Sequence, residues 1–232
     1  MRYKKSVAAL ALAAVLVFST ACARLDVVGE QSVNAFDEVL KAAADKVSAD
    51  EQNAGWSLAA PDDSARFVWS TNPGKSPQYD ILLAFDATPF VDAGLDTSKL
   101  PENYTVKNDT ILVGRRLADD GVTTTEPATS LASYQKTVEK NASVIGYHSA
   151  MDHYNVNLGG GNLFEWAKDL TMNTVDNSNQ DKDIVFVLNP EPLIAAGVDP
   201  QRVEGWMYAT VNIGMGAKPE EVYKFLKPFD LK

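Results

Sequence analysis

A segment that occurs twice limits the fold of this chain more than any other feature. Asp80-Ile-Leu-Leu-Ala-Phe-Asp-Ala-Thr-Pro-Phe-Val-Asp-Ala-Gly-Leu-Asp96 aligns without a gap on Asp183-Ile-Val-Phe-Val-Leu-Asn-Pro-Glu-Pro-Leu-Ile-Ala-Ala-Gly-Val-Asp199. The identities are Asp80/Asp183, Ile81/Ile184, Pro89/Pro192, Ala93/Ala196, Gly94/Gly197 and Asp96/Asp199, and most other pairs exchange one apolar residue for another. Such a repeat makes a duplicated fold the first expectation. Weaker similarity extends outwards. Phe67-Val-Trp69 answers Phe164-Glu-Trp166, Trp56 is set against Tyr147, and Thr110-Ile-Leu-Val-Gly114 against Thr210-Val-Asn-Ile-Gly214.

Periodicity fills in the unit. Val33, Phe36, Val39, Leu40 and Ala43 make one apolar stripe at helical spacing over Ser32–Val47, and Leu131, Tyr134, Val138 and Val144 do the same over Ser130–Val144. Trp56–Ala60 and Ala65–Ser70 flank a Pro61-Asp62-Asp63-Ser64 turn and read as a hairpin. Ile81–Phe85 and Ile184–Leu188 are continuous apolar runs, expected of central strands covered on both faces. In the shared Pro-x-x-x-Ala-Gly-x-Asp, Pro suits the first turn of a short helix and Gly the residue that closes it. Asp96 or Asp199 then caps a second short turn, which makes the motif a folding device. Lys218–Pro228 has acidic residues first, basic residues last and a terminal proline, and predicts a closing helix.

These readings give an α+β fold: a tandem duplication of a helix–hairpin–strand–short helix–strand unit, packed with approximate pseudo-two-fold symmetry. The boundaries are a signal peptide at 1–21, a tether at 22–31, a first unit at 32–122, a linker at 123–129 and a second unit at 130–232.

The N-terminus supplies an address. Arg2, Lys4 and Lys5 precede the apolar run Ser6–Phe18, and Ser19-Thr20-Ala21-Cys22 follows. This is the layout of a secretory signal. Small residues leading into a cysteine resemble the lipobox of bacterial lipoproteins, with Ser19 standing where the pattern usually has Leu. The resemblance covers the first 22 residues only. It implies that Cys22 is diacylated, palmitate included, and becomes the first mature residue, held stably at the membrane by two chains. Cleavage after Ala21 by an ordinary signal peptidase is the alternative. Either route is extracytoplasmic.

Charge narrows the partners. The chain has 21 Lys and Arg against 31 Asp and Glu, a net of −10. Three of those basic residues and no acidic ones lie in 1–21, so the mature chain keeps 18 against 31, a net of −13. So acidic a chain lacks the clustered cations that nucleic acid needs, and an anionic bilayer repels it. Its expected contacts are the membrane through the anchor, and a small molecule or envelope protein in the aqueous space.

Candidate chemistry gathers in the second unit. From Trp56 to Trp69 is 13 positions and from Tyr147 to Trp166 is 19, which predicts a loop enlarged over Tyr147–Asn162. Both histidines of the protein, His148 and His153, lie in it with Asp152, Asn162 and Gly159-Gly160-Gly161. His148, Asp152 and His153 are the candidate metal ligands, because neutral imidazole and carboxylate suit divalent ions. Tyr147, His148, Asp152, His153, Asn162 and Arg115 are the candidate ligand contacts, Arg115 for its bidentate grip on anions. No nucleophile elbow, zinc-protease motif or phosphate loop occurs. The composition identifies no cofactor. The four tryptophans read as core. The expected function is a lipid-anchored binding or assembly protein without catalysis; a metal- or cofactor-dependent enzyme or carrier centred on 148–162 is the alternative.

Overall fold

The computed structural model describes residues 41, 45–51, 55–70, 76, 78–117, 145–148, 153–171, 181–213 and 220–230. Cys22, the signal and tether, the linker at 123–129, Asp152, and nearly all of both amphipathic stretches, 32–47 and 130–144, lie outside them.

The first half forms strands β1 (Val47–Asp50), β2 (Gly55–Ala59), β3 (Ala65–Ser70), β4 (Ile81–Asp86), β5 (Tyr104–Lys107) and β6 (Thr110–Arg115). The second forms β7 (Ile145–His148), β8 (His153–Gly159), β9 (Asn162–Thr171), β10 (Asp181–Leu188), β11 (Met207–Ile213) and β12 (Glu220–Phe229). Each half is one antiparallel six-stranded sheet, in the orders β1-β2-β3-β4-β6-β5 and β7-β8-β9-β10-β12-β11. Strand for strand the two orders are the same.

This overturns the α+β expectation. The fold is mostly β, and the described α-helices are two five-residue turns, α1 (Thr88–Asp92) and α2 (Glu191–Ala195). The closing helix over Lys218–Pro228 is instead β12, which pairs with both β10 and β11. Tyr223, Phe225, Lys227 and Phe229 alternate along it, a period of two that outweighs the helix-like placement of charge. Pro228 lies beyond the end of the β11 ladder at Met207↔Leu226, flanked by β10 alone, where a missing N–H is tolerated.

The registers also correct the outer parts of the repeat. Trp69 pairs with Ile81 and Trp166 with Ile184, so that equivalence holds. But Trp56 pairs with Trp69 while Tyr154 pairs with Trp166, which makes Tyr154, not Tyr147, the counterpart of Trp56. The counterpart of Thr110–Gly114 is β12, beside β10, and not the stretch beginning at Thr210, whose described residues lie on β11.

The inner faces of both sheets merge into one core. The rings of Trp69, Phe67, Phe164 and Trp166 run through it as a stack, with centroid spacings of 5.4, 4.3 and 5.4 Å. Its middle pair, Phe67 and Phe164, occupy equivalent positions of the repeat and lie 3° from parallel. All four side chains are fully buried. Outer-face residues of the central strands are buried too: Val68, Leu82 and Ala84 on one sheet, Val185, Val187 and Leu226 on the other. The continuous apolar runs are therefore covered on both faces.

The two Pro-x-x-x-Ala-Gly-x-Asp motifs contact one another reciprocally. The Asp96 amide donates to the Ala196 carbonyl and the Asp199 amide to the Ala93 carbonyl, both at 2.8 Å. Asp96 and Asp199 accept from the amides of Ser98 and Gln201, capping the short turns as expected. Among the described residues no helix is long and apolar enough to cross a membrane.

Candidate functional site

Most of the described residues of the stretch expected as an enlarged loop, Tyr147–Asn162, belong to β7, β8 and the start of β9, and the segments between strands are of equal length: 51–54 between β1 and β2, and 149–152 between β7 and β8. The apparent six-residue insertion came from setting Trp56 against Tyr147.

That change divides the candidate residues. His153 and Gly159 stand at opposite ends of β8, about 20 Å apart at ~3.3 Å per residue. At one end, β7 and β8 set Tyr147 opposite Tyr154 and His148 opposite His153. At the other, Asn162 and the triple glycine lie towards the first sheet, where a Cβ placed on Gly159 would stand 3.9 Å from that of Arg115. Asp152 is outside the described residues.

The glycine end is tied down by hydrogen bonds. Gly159, Gly160 and Gly161 all have positive φ, and each carbonyl has a donor. Asn162 Nδ2 donates to the Gly159 carbonyl at 2.9 Å, Asn189 Nδ2 to that of Gly160 at 3.0 Å, and Lys224 Nζ to that of Gly161 at 3.3 Å. Asn162 Oδ1 accepts the Asn189 amide at 2.8 Å, and the side chain is fully buried. Asn162 thus pins the hairpin. Beside it, burial pushes the Tyr104 hydroxyl up to about 12, and that hydroxyl has no hydrogen-bond partner among the described residues. Burial also lowers the Lys224 ammonium, with Glu191 opposing. Arg116 donates to the Ser76 carbonyl at 3.1 Å and so helps hold that loop.

The matching end of the pseudo-two-fold differs in chemistry. Here the β2–β3 turn of the first sheet reaches the β11–β12 edge of the second. Asp62 Oδ1 accepts the Ser64 amide at 3.2 Å and its hydroxyl at 2.8 Å, an Asx turn that aims the other oxygen outward. Asp62 Oδ2 meets Lys227 Nζ at 2.7 Å. Lys227 also donates to the Gly205 carbonyl at 3.1 Å and lies 5.8 Å from the centre of the Trp206 ring. Burial alone would raise the Asp62 carboxyl. Its hydrogen bonds from Lys227 and Ser64 outweigh that and hold it below the usual carboxylate range. The pair therefore stays ionised until the pH falls below ordinary carboxylate values, and its contribution to stability is lost on that acid side.

Register shows why Lys227 is unusual. Lys227 pairs with Phe186, and Val113 pairs with Leu83, the repeat equivalent of Phe186. A buried lysine, 7% exposed, thus occupies a core position that the other half fills with fully buried Val113. Beside it opens a cleft of about 520 Å³, walled by Pro61, Trp206, Met207, Leu226, Pro228 and Phe229. Apolar walls around one ion pair suit a ligand with an apolar body and a polar end. Asp62, Lys227 and Trp206 were not among the residues singled out from sequence. The one signal available was a lysine inside the alternating Phe225-x-Lys227-x-Phe229.

Comparisons with protein-family models, with curated proteins and with solved structures give no match for this chain.

Proposed function

We propose that this chain is an extracytoplasmic lipoprotein, attached to a bacterial membrane through diacylated Cys22, that binds a ligand or assembly partner at the seam between its two sheets and performs no catalysis there. The observation that carries the binding reading is the departure from symmetry at the seam. Two sheets of one topology enclose one core, yet one end replaces an aliphatic core residue, Val113, with the Asp62–Lys227 pair beside an apolar-walled cleft. A fold gains nothing in packing from that exchange, because burying the lysine costs about as much as its partly exposed partner returns. A recognition site explains its presence. The anchoring reading rests on the basic, apolar and small-residue order of 1–22 and on the acidic mature chain, which stands off an anionic surface.

Expression of the full chain in a bacterial host with labelled palmitate tests the address. The expected result is label on the wild type and membrane sedimentation, both lost in Cys22→Ser. A Cys22→Ser chain that still takes up label, or still sediments with the membrane, overturns it. Native mass spectrometry of the wild-type chain released in detergent tests the cleft. Bound small-molecule mass that persists in the wild type and is lost in Lys227→Val supports it; equal occupancy in both overturns it.

A further inference from the structure

The register at the open end of the second sheet has a consequence independent of the seam cleft. The chain contains two histidines, and the β7–β8 ladder sets them directly opposite one another as its last pair, His148↔His153. Directly opposed positions of an antiparallel pair share a face of the sheet, with Cβ atoms about 5 Å apart. Two residues five apart in sequence share no helical face and fall on opposite sides of a continuous strand. Only a hairpin of this register brings them to one face.

The face is set by parity. Val156 and Leu158 of β8 are core residues, so His153, Asn155 and Asn157 occupy the other face. The fold does not require histidine here. The equivalent last pair of the first sheet, again closed by a four-residue connection, is Asp50↔Gly55. The pair is an addition to one half of a duplicated scaffold.

We propose that His148 and His153 form a two-imidazole site for a divalent first-row transition ion of the copper or zinc kind. Neutral imidazole is the side chain these ions share as a preferred ligand. Metal–nitrogen bonds of about 2.0–2.1 Å are within reach of two imidazoles borne on positions at this spacing. The ladder register sets the two histidine positions opposite one another, and the acidic chain raises the local concentration of cations. A two-imidazole set leaves further coordination positions for water or for a donor from a partner.

The test uses the full chain in detergent, titrated with Zn²⁺ by calorimetry and with Cu²⁺ by electron paramagnetic resonance. The wild type is expected to bind one ion per chain with nitrogen couplings in the copper spectrum. His148→Asn and His153→Asn, polar replacements at strand ends, are each expected to weaken binding at least tenfold, and the double variant to abolish it. Affinity is expected to fall as the pH drops through about 6.5, where free imidazole protonates. Absence of stoichiometric binding, or wild-type affinity in either single variant at unchanged circular dichroism, overturns the proposal. The palmitate label at Cys22 and the Lys227→Val comparison are read separately, so failure here leaves those readings standing.

Discussion

Gly94 and Gly197 show what single residues contribute where the two repeats touch. Each has a positive φ, 106° and 108°, which any L side chain adopts only with strain. Each also faces the other's carbonyl. A Cβ on Gly94 would meet the Gly197 oxygen at 2.8 Å, and one on Gly197 the Gly94 oxygen at 2.7 Å. The sequence motif accounts for the first requirement, since a glycine after a short helix is a common end signal. It is silent on the second, because the clash is with a residue about a hundred positions away. Gly94→Ala is therefore expected to destabilise the protein by about 2–4 kcal/mol, the strained backbone and the displaced contact acting together. Ala93→Gly, one position earlier, should cost about 1 kcal/mol, the ordinary penalty of a flexible residue. Urea midpoints of the two variants check this, and equal shifts would show that the close approach carries no energy.

At the scale of elements, strands that alternate were legible and strands that carry helix-like charge were not. The β2–β3 hairpin and the central strands β4 and β10 follow directly from apolar runs and turn residues. β12 did not, because Glu220 and Glu221 at its start and Lys224 and Lys227 further on imitate the charge order of a helix. Tertiary pairing on both sides decided its state. The same limit hid the site. Asp62 and Lys227 are 165 residues apart, and nothing local to either predicts a bond of 2.7 Å. The histidine pair needed a register, and the repeat alignment had supplied a wrong one by matching Trp56 to Tyr147 instead of Tyr154. β12 as a strand makes a direct prediction. Phe225 is fully buried and Tyr223, on the same face, is 54% exposed. Phe225→Ala is expected to cost about 3–5 kcal/mol, and Tyr223→Ala about 1 kcal/mol from its stack on Tyr208. Comparable costs at the two positions, measured by thermal unfolding, would argue against this strand register.

The whole molecule is less divisible than its repeat suggests. Two units of about a hundred residues are each large enough to be domains. Here, however, the inner face of each sheet is buried by the other, and Phe67 on Phe164 joins them at the centre. The joints are also reciprocal: Asp96 bonds to Ala196, Asp199 to Ala93, and the Asp62 turn of one sheet closes on Lys227 of the other. Neither inner face has a substitute for its partner, so the energy of both halves is held in one interface. Unfolding should then be a single cooperative transition, with tryptophan fluorescence and far-ultraviolet circular dichroism superimposing through the urea curve. Asp62→Ala separates this view from one of two domains loosely in contact. It leaves Lys227, 7% exposed, with the Gly205 carbonyl but no counter-charge among the described residues. The loss should be about 1–3 kcal/mol, below the cost for a wholly buried pair because Asp62 itself is half exposed. In one cooperative molecule that loss shifts the entire curve, both probes together, although the substitution touches a single turn of the first sheet. In two independent domains it would split the curve, moving one part and leaving the other in place. A split curve would break the link drawn here between the shared core and the seam, and with it the physical reason for placing the binding cleft between two halves that stay fixed on one another.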